Sequence, residues 1–514
     1  MTSESGESTM EMLQPGSPLL HLPAELIHQI LMFLPPTELA VVSQTCRLLN
    51  VHAYDDRLWQ RHLQSYLPHA TIKTPAPSSS FRQHFLLHHP YWFIPKYKIW
   101  YSDTVHTGRL LIARYSARRQ TIEAYALCAE RAASKFEFWD WNPDVIIHTF
   151  EPRIQLDLNQ PALKLDAETA ASLPLRKRYS EEVIMDIHGS IHMNGLNTRL
   201  LLSRPLPPSA IGIGTQVWPP LKLPASERTR NASSNAFRGL DHKPSKMSEL
   251  SQHTFRLRRW LDFTSLIQGM TMRVAEEVST FATLPPESYT PTKKKPWRGI
   301  WCGDYSGHGC EFLLVLQPEE PVELPDGVEA ALRRRQSSDS TESEDSWQSA
   351  MSTPVAAPTN QQEVSAATFN YEHLFEHTQD LNLINELTSN ISAEYGRTPR
   401  ITKSDDSENE TSYEGQLMAV KLTGDPNVPR GEYTFIAPDI SDAGLLRVAN
   451  EEIFKGARVV KSVGHIAARD FRDDMYIPSQ LILISHDTLA QYWEAFGHIS
   501  FYKRVDIDKF VSVD

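Results

Sequence analysis

Between Pro18 and Leu67 the apolar positions recur at helical spacing. Leu22, Leu26, Ile30 and Leu34 stand four apart with Ile27 and Leu31 beside them, which predicts one helix with a wide apolar face. Pro35-Pro36 ends it, because proline lacks an amide donor and clashes with the preceding turn. Thr37 is placed to cap a second helix opening at Glu38 and Leu39, whose stripe runs through Val42 and Cys46 to Leu49. Trp59 anchors a third short helix between Asp55 and Tyr66.

From Tyr91 the period changes. "YWFIPKYKIWYSD", "GRLLIARYS", "TIEAYALCAE" and "VIIHTFEPRIQLDL" are aromatic and β-branched runs broken by Gly, Asn, Asp and Pro, the pattern of antiparallel strands and hairpins. Pro205 to Lys246 reads as an irregular excursion, and "SELSQHTFRLRRWLDFTSLIQGMT" as one helix. Strands resume at "RGIWCGDYSGHGCEFLLVLQ" and again at "GQLMAVKLTGDPNVPRGEYTFIAP", "ARVVKSVGHIAARDF", "SQLILISHD" and "HISFYKRVDI". Between them, "RRRQSSDSTESEDSWQSAMSTPVAAPTNQQE" has too little apolar surface to offset its ordering entropy. The expected plan is α+β. Residues 1–17 are disordered, 18–67 form a helical block, and 85–317 and 413–514 form one mostly antiparallel, β-rich domain. Residues 318–412 are a disordered acidic and Ser-rich insertion, with a short helix at Tyr371 to Leu387.

Composition narrows the function classes. With 35 prolines against 22 glycines the chain is rich in loops, and its formal net charge of −12 argues against nucleic acid or an anionic membrane as partner. No apolar run approaches the roughly 20 residues of a membrane span. The polar, acidic N-terminus lacks the basic and apolar regions of a secretory signal, so the expectation is a soluble cytoplasmic or nuclear protein. Cys46, Cys128, Cys302 and Cys310 lack Cys-x-x-Cys spacing, which speaks against a disulfide scaffold and a zinc knuckle.

The chemically dense stretch is "GDYSGHGCEFLLVL", Gly303 to Leu316. A dinucleotide fingerprint needs G-x-G-x-x-G opening a helix, but these glycines are spaced otherwise and a strand pattern follows. A nucleophile elbow needs G-x-S-x-G, and Ser306 has glycines at the wrong offsets. Cys302, His308 and Cys310 find no second pair of zinc ligands. A hairpin fits better: Trp301, Gly303 and Tyr305 alternate, Ser306 to Gly309 turn, and Glu311 to Leu316 return. No catalytic residue, metal or cofactor is expected.

Leu22-Pro23-x-Glu25-Leu26-Ile27, Ile30-Leu31, Phe33-Leu34-Pro35, Leu39, Val42, Cys46-Arg47 and Leu58-Trp59 resemble the F-box. The resemblance implies a three-helix hook that docks on the adaptor Skp1 and, through it, on cullin-1 and its RING subunit in a ubiquitin ligase. It nominates Leu22, Pro23, Leu26, Ile27, Ile30, Leu34, Leu39, Val42, Cys46 and Trp59 as contacts. Downstream, Arg298-Gly299-Ile300-Trp301-x-Gly303-x-Tyr305-x-Gly307-His308-Gly309-x-Glu311 resembles the cyclin-D-binding F-box only protein 31 family. So do Lys421 to Gly431 ("KLTGDPNVPRG"), Gly464-His465-Ile466, and Ile499 to Val505. The family runs almost directly from the first block to the second, whereas here roughly ninety residues intervene. The resemblance implies a β-barrel receptor for a protein's C-terminal tail, with Trp301, Tyr305, His308, Thr423, Asp425, Asn427 and His465 as pocket residues. Asp425 and Asn427 are expected to meet a terminal amide, an ionised Asp425 repelling a free carboxylate. Alternatives are a ligand-binding or hydrolytic barrel, and a Skp1 scaffold outside any ligase.

Overall fold

The computed structural model describes residues 18–102, 108–132, 136–148, 150–187, 196–205, 243–264, 271–305, 308–337 and 413–512. Residues 1–17, most of the 205–246 excursion and the expected helix at Tyr371 to Leu387 lie outside them.

The chain opens with short helices α1 (Ala24–Leu31), α2 (Pro36–Val42), α3 (Arg47–Ala53), α4 (Asp56–Tyr66), α5 (Phe81–His88) and α6 (Phe93–Tyr97). Next come β1 (Ile99–Ser102), β2 (Leu110–Ser116), β3 (Thr121–Arg131), β4 (Phe136–Phe138), β5 (Ile146–His148), β6 (Pro152–Leu156), β7 (Leu163–Leu165), α7 (Ala167–Ala171) and β8 (Val183–Met185). They are followed by β9 (Leu196–Leu202), β10 (Thr254–Thr264), β11 (Thr271–Thr283), α8 (Pro286–Tyr289), β12 (Gly299–Asp304), β13 (Cys310–Leu316) and α9 (Val328–Ser337). The chain closes with β14 (Leu417–Lys421), β15 (Tyr433–Ala437), β16 (Leu445–Val448), β17 (Arg458–Ala468), β18 (Arg472–Ser485), β19 (Thr488–Trp493), β20 (His498–Arg504) and α10 (Asp508–Val511).

Two sheets result. The first runs β6-β3-β2-β1-β11-β10-β9-β8, with β7 also on β3. The second runs β12-β13-β14-β15-β17-β18-β19-β20, and β20 pairs back onto β12 through Trp301↔Arg504, Cys302↔Lys503 and Gly303↔Tyr502. Eight antiparallel strands therefore close into a barrel, which leaves no free edge around the ring. At eight strands the bore is just wide enough for side chains to fill it. Trp301, Leu313, Val315, Leu417, Ala419, Phe435, Val460, Leu481, Leu489 and Tyr502, drawn from all eight strands, form that interior.

The period-two alternation assigns each strand a second face. Ile300, Cys302, Phe312 and Leu314 point out of the barrel and pack with Ile99, Tyr101, Leu110 and Ile112 of the first sheet. That sheet's opposite face, with Trp100, Leu111, Ala113 and Tyr115, packs with Ile27, Leu31, Leu39, Leu58, Trp59 and Leu63 of the helices. The helical hook, the open sheet and the barrel wall are thus three successive layers.

Several sequence expectations shift. Pro35 precedes α2 and Pro36 occupies its first turn, where a missing amide costs nothing, so Thr37 lies inside the helix rather than capping it. The expected second helix is divided, because Cys46 leaves the helical conformation and its Sγ accepts from Leu49 N at 3.5 Å, capping α3. The run from Phe93 to Tyr97 is helical, and strands begin at Ile99. The stretch from Ser248 to Thr271 expected as a helix instead supplies β10 of the β10–β11 hairpin, since its β-branched and aromatic residues pair across strands, as in Phe255↔Phe281. The start of the insertion is ordered: Val328 and Ala331 of α9 bury against Met418, Val420, Ile436, Val463 and Tyr476 on the barrel's outer wall. Val322 is tied on both its N and O atoms to the Gln416 side chain, so deleting from Glu319 would remove part of the fold.

Gly464 faces the interior, where a Cβ would stand 2.1 Å from the Trp493 ring. Gly464→Ala is expected to lower unfolding stability by about 1–3 kcal/mol, read from the urea midpoint. An unshifted midpoint would contradict this packing.

Candidate functional site

The helical hook exposes apolar residues that its own core does not take. Glu25 stands in the first turn of α1, where a carboxylate favours the helix dipole. Leu26, Ile30 and Phe33 follow at i, i+4, i+7 and are 43%, 44% and 85% exposed. Val41, Leu48 and Val51 are exposed on α2 and α3. Of the residues nominated from the sequence, Pro23, Leu26 and Ile30 are exposed, and Leu22, Leu34, Val42 and Cys46 are half-buried. Ile27, Leu39 and Trp59 turn inward, Trp59 Nε1 donating to Ala53 O at 2.8 Å, so they support the hook rather than present a surface. Phe33, Val41, Leu48 and Val51 were not nominated; their signal is apolar residues on the helix face opposite the buried ones.

At the barrel, "GDYSGHGC" is a hairpin end. Asp304↔Cys310 is its last pair, Tyr305 N donates to Gly309 O at 2.9 Å, and Gly309 takes φ +90°, where a side chain would be strained. Ser306 and Gly307 lie outside the described residues. Gly303 has a different reason to be glycine. It lies in the strand, and a Cβ would stand 2.7 Å from the Tyr502 ring. Among the described residues, no three His, Cys, Asp or Glu side chains gather as a metal site.

The "TGDPN" segment is a self-capped turn. Asp425 Oδ1 accepts from Asn427 N at 2.6 Å and Val428 N at 2.8 Å, an arrangement that aspartate offers readily. Asn427 Nδ2 donates to Ala467 O at 2.8 Å, binding this turn to the end of β17. Thr423 Oγ1 accepts from Phe312 N at 2.8 Å and so pins the β13–β14 register.

These contacts correct the expected pocket. Asp425 is buried and pairs with Lys421, so its charge is answered internally and the expected repulsion of a free carboxylate has no open charge behind it. Trp301 is sealed in the barrel interior, its Nε1 donating to Trp297 O at 3.0 Å. His465 is also buried, Nδ1 donating to Tyr433 O at 2.9 Å and Nε2 3.0 Å from Asp474 Oδ2, with its ring stacked on Tyr476. His308 is exposed at the hairpin tip, and Tyr305, Thr423 and Asn427 are half-buried.

Behind these turns lies a charged cluster that strand alternation could have revealed. Glu311 shares its strand face with Leu313 and Val315, and Lys421 with Leu417 and Ala419. Lys421 Nζ stands 3.0 Å from Glu311 Oε2, pairs with Asp425, and lies 4.4 Å from the centre of the Tyr305 ring. Tyr305 OH is 2.7 Å from Thr434 Oγ1. Deeper in, Tyr502 OH donates to Gln491 Oε1 at 2.8 Å, and Gln491 Nε2 donates to Ser479 Oγ at 3.1 Å.

Burial pushes the Glu311 carboxyl up to about 8, with the Lys421 cation opposing and Asp425 reinforcing the shift. Burial also works against ionised Asp425, but Lys421 and the turn's amides hold its carboxyl below the usual range. Lys421 is raised: burial opposes its charge, and the two carboxyl groups more than compensate. At neutral pH the cluster is one ion pair beside a protonated carboxyl, a balanced charge set inside the barrel.

An open groove of about 510 Å³ lies elsewhere, lined in part by Tyr289, Lys98, Asp508, Arg504 and Asp487. None of the nominated pocket residues reaches it, and its charges are paired, Lys98 with Asp508 at 2.6 Å and Arg504 with Asp487 at 3.2 Å.

With this geometry in place, comparison with protein families gives two matches. Residues 19–65 match the family model described as "F-box-like", and residues 281–509 match that described as "Cyclin D1 binding domain". The first covers the hook from before α1 to the end of α4, and the second runs from the end of β11 through the whole barrel. Among curated proteins, none matches this chain.

The protonated Glu311 sets a pH dependence. Its folded value lies above the unfolded one, so its stabilisation is full below the ordinary carboxylate range and is lost as pH rises towards about 8. Between pH 5.5 and 7.5, Glu311 should make unfolding stability fall by roughly 1 kcal/mol per pH unit, and Glu311→Gln should flatten that slope. Urea titrations of both proteins across this range read it directly; parallel slopes would contradict a protonated Glu311.

Proposed function

The chain is an F-box protein of the cyclin-D-binding family, and from that premise we propose that it is the substrate-recognition subunit of a Skp1–cullin–F-box ubiquitin ligase. The observation that carries this reading is the exposed stripe of Leu26 and Ile30 on α1 and Phe33 in the turn that follows it, within the matched F-box segment. Apolar side chains exposed this far on a short helix favour a partner that removes them from water, at about 25 cal/mol per Å² covered. Skp1 is that partner in this reading, and cullin-1 with its RING subunit is recruited through it. Ubiquitin transfer chemistry then belongs to the other subunits, and this chain acts by holding the substrate near them.

The substrate side is the barrel. Its match to the cyclin D1 binding domain supports a protein ligand of the cyclin D1 kind, and we propose that the barrel engages that ligand by an end segment. The rim formed by Tyr305 and His308 of the hairpin end and by the Thr423–Val428 turn is the place for that contact, with exposed His308 and half-buried Tyr305, Thr423 and Asn427 nearest to solvent. Trp301, Asp425 and His465 shape this rim from behind. The Thr423–Val428 turn, bound to the barrel wall through Asn427 and Thr423, loses little entropy when a ligand settles on it.

The double change Leu26→Asp and Ile30→Asp removes the stripe from a surface that the chain's own core does not use. Its thermal melt should stay within a degree or two of the original, because surface changes alter stability by about 0.5 kcal/mol or less. Binding to purified Skp1 should weaken by roughly 30-fold or more, as for loss of a buried interface anchor. Unchanged Skp1 affinity would overturn the assignment.

A further inference from the structure

The barrel carries an appendage that neither the hook nor the rim uses. β4 and β5 form a two-stranded flap, joined to β20 by a single parallel bridge at His498↔Ile146, and β4 is the outer edge of the sheet. Its sequence, Glu137 to Asp144 ("EFWDWNPD"), mixes three aromatic with three acidic residues. Phe138 is 78% exposed and Trp141 is 59% exposed, an unusual cost for two large rings so close in sequence.

The flap is held rigidly, which argues against a loose loop. Trp139 is buried, and its Nε1 donates to Glu451 Oε1 at 3.0 Å. Asn142 N donates to Trp139 O at 3.0 Å, Asn142 Nδ2 donates to Tyr492 OH at 3.2 Å, and Asn142 Oδ1 accepts from Asp144 N at 3.2 Å. One residue therefore fixes the turn that carries Trp141.

The flap already shows which chemistry it accepts. The Arg447 guanidinium lies 3.9 Å from the centre of the Trp141 ring, a cation on an aromatic face. Arg447 is held there by Glu451, donating at 2.7 and 2.9 Å, so its charge is already answered. Glu137, Asp140 and Asp144, close to the two rings in sequence, are exposed, and among the described residues no cation is paired with them. Exposed aromatic anchors with exposed carboxylates beside them in sequence complement a segment that combines basic and apolar side chains.

We propose that the β4–β5 flap is a docking surface for a cationic, extended protein segment. Phe138 and Trp141 are its anchors, and Glu137, Asp140 and Asp144 select Arg or Lys. The carboxylates repel nucleic acid and anionic membranes, and the edge position of β4 gives an extended chain room to lie alongside. The surface is separate from the Skp1 stripe and does not depend on the ligase reading.

The test uses the full chain and a fluorescein-labelled octapeptide of alternating arginine and valine, with a glutamate–valine octapeptide as control. Fluorescence anisotropy should show binding of the arginine probe alone. The double change Phe138→Ala and Trp141→Ala leaves every charge in place and should weaken binding tenfold or more. Asp140→Asn with Asp144→Asn should weaken it and reduce its salt dependence. Equal affinity in the alanine variant would overturn the proposal, because attraction by the chain's overall negative charge would then explain the binding. Light scattering of the unliganded chain gives the other decisive outcome: a dimer abolished by the same alanine changes would make this face a contact between two copies and overturn the peptide reading.

Discussion

The pairing of β20 with β12 is the constraint on which the rest of the structure depends. Three residue pairs, Trp301↔Arg504, Cys302↔Lys503 and Gly303↔Tyr502, join the last strand of the chain to the first strand of the barrel. Strands spanning more than two hundred residues of sequence thereby become a closed ring. Closure fixes which side chains enter the bore, because a slip of one residue would turn every interior residue outward. It also explains two glycines. Gly303 leaves room for the Tyr502 ring at the seam, and Gly464 leaves room for Trp493.

The closed bore then makes the buried charges intelligible. Inside the bore, filled by side chains, Lys421, Asp425 and Glu311 answer one another. The proton on Glu311 leaves one cation facing one carboxylate. The cluster sits directly beneath the Thr423–Val428 turn, whose amides satisfy Asp425, and beside Tyr305 of the hairpin end. The rim proposed to meet substrate is thus supported by an internal electrostatic network rather than by free polar groups waiting for a ligand.

Much of this was legible in the sequence. The helical stripe of Leu22, Leu26, Ile30 and Leu34 located the hook, and the turn chemistry of Gly309 and Asp425 located both barrel turns. What the pattern could not supply was context. Periodicity marks a helix's apolar residues without saying which meet the chain's own core, so Ile27, Leu39 and Trp59 were grouped with Leu26 and Ile30. Asp425 and His465 have the chemistry of binding residues, but their partners Lys421 and Asp474 become visible only once strands are in register. The β10–β11 hairpin was missed because "FRLRRWLDF" supports helical and alternating readings alike, and pairing with β9 and β11 decides it. The ordered start of the insertion was missed because Val328 and Ala331 are too few to signal a buried helix against so polar a background.

The central claim is that one chain couples a Skp1-binding hook to a barrel that holds a protein substrate. The most direct measurement is ubiquitin transfer to cyclin D1 by purified Skp1, cullin-1, its RING subunit and charged E2, with and without this chain. The account predicts polyubiquitinated cyclin D1 only when the chain is present. Transfer at the same rate without it, or none with it despite a stable Skp1 complex, would contradict the account.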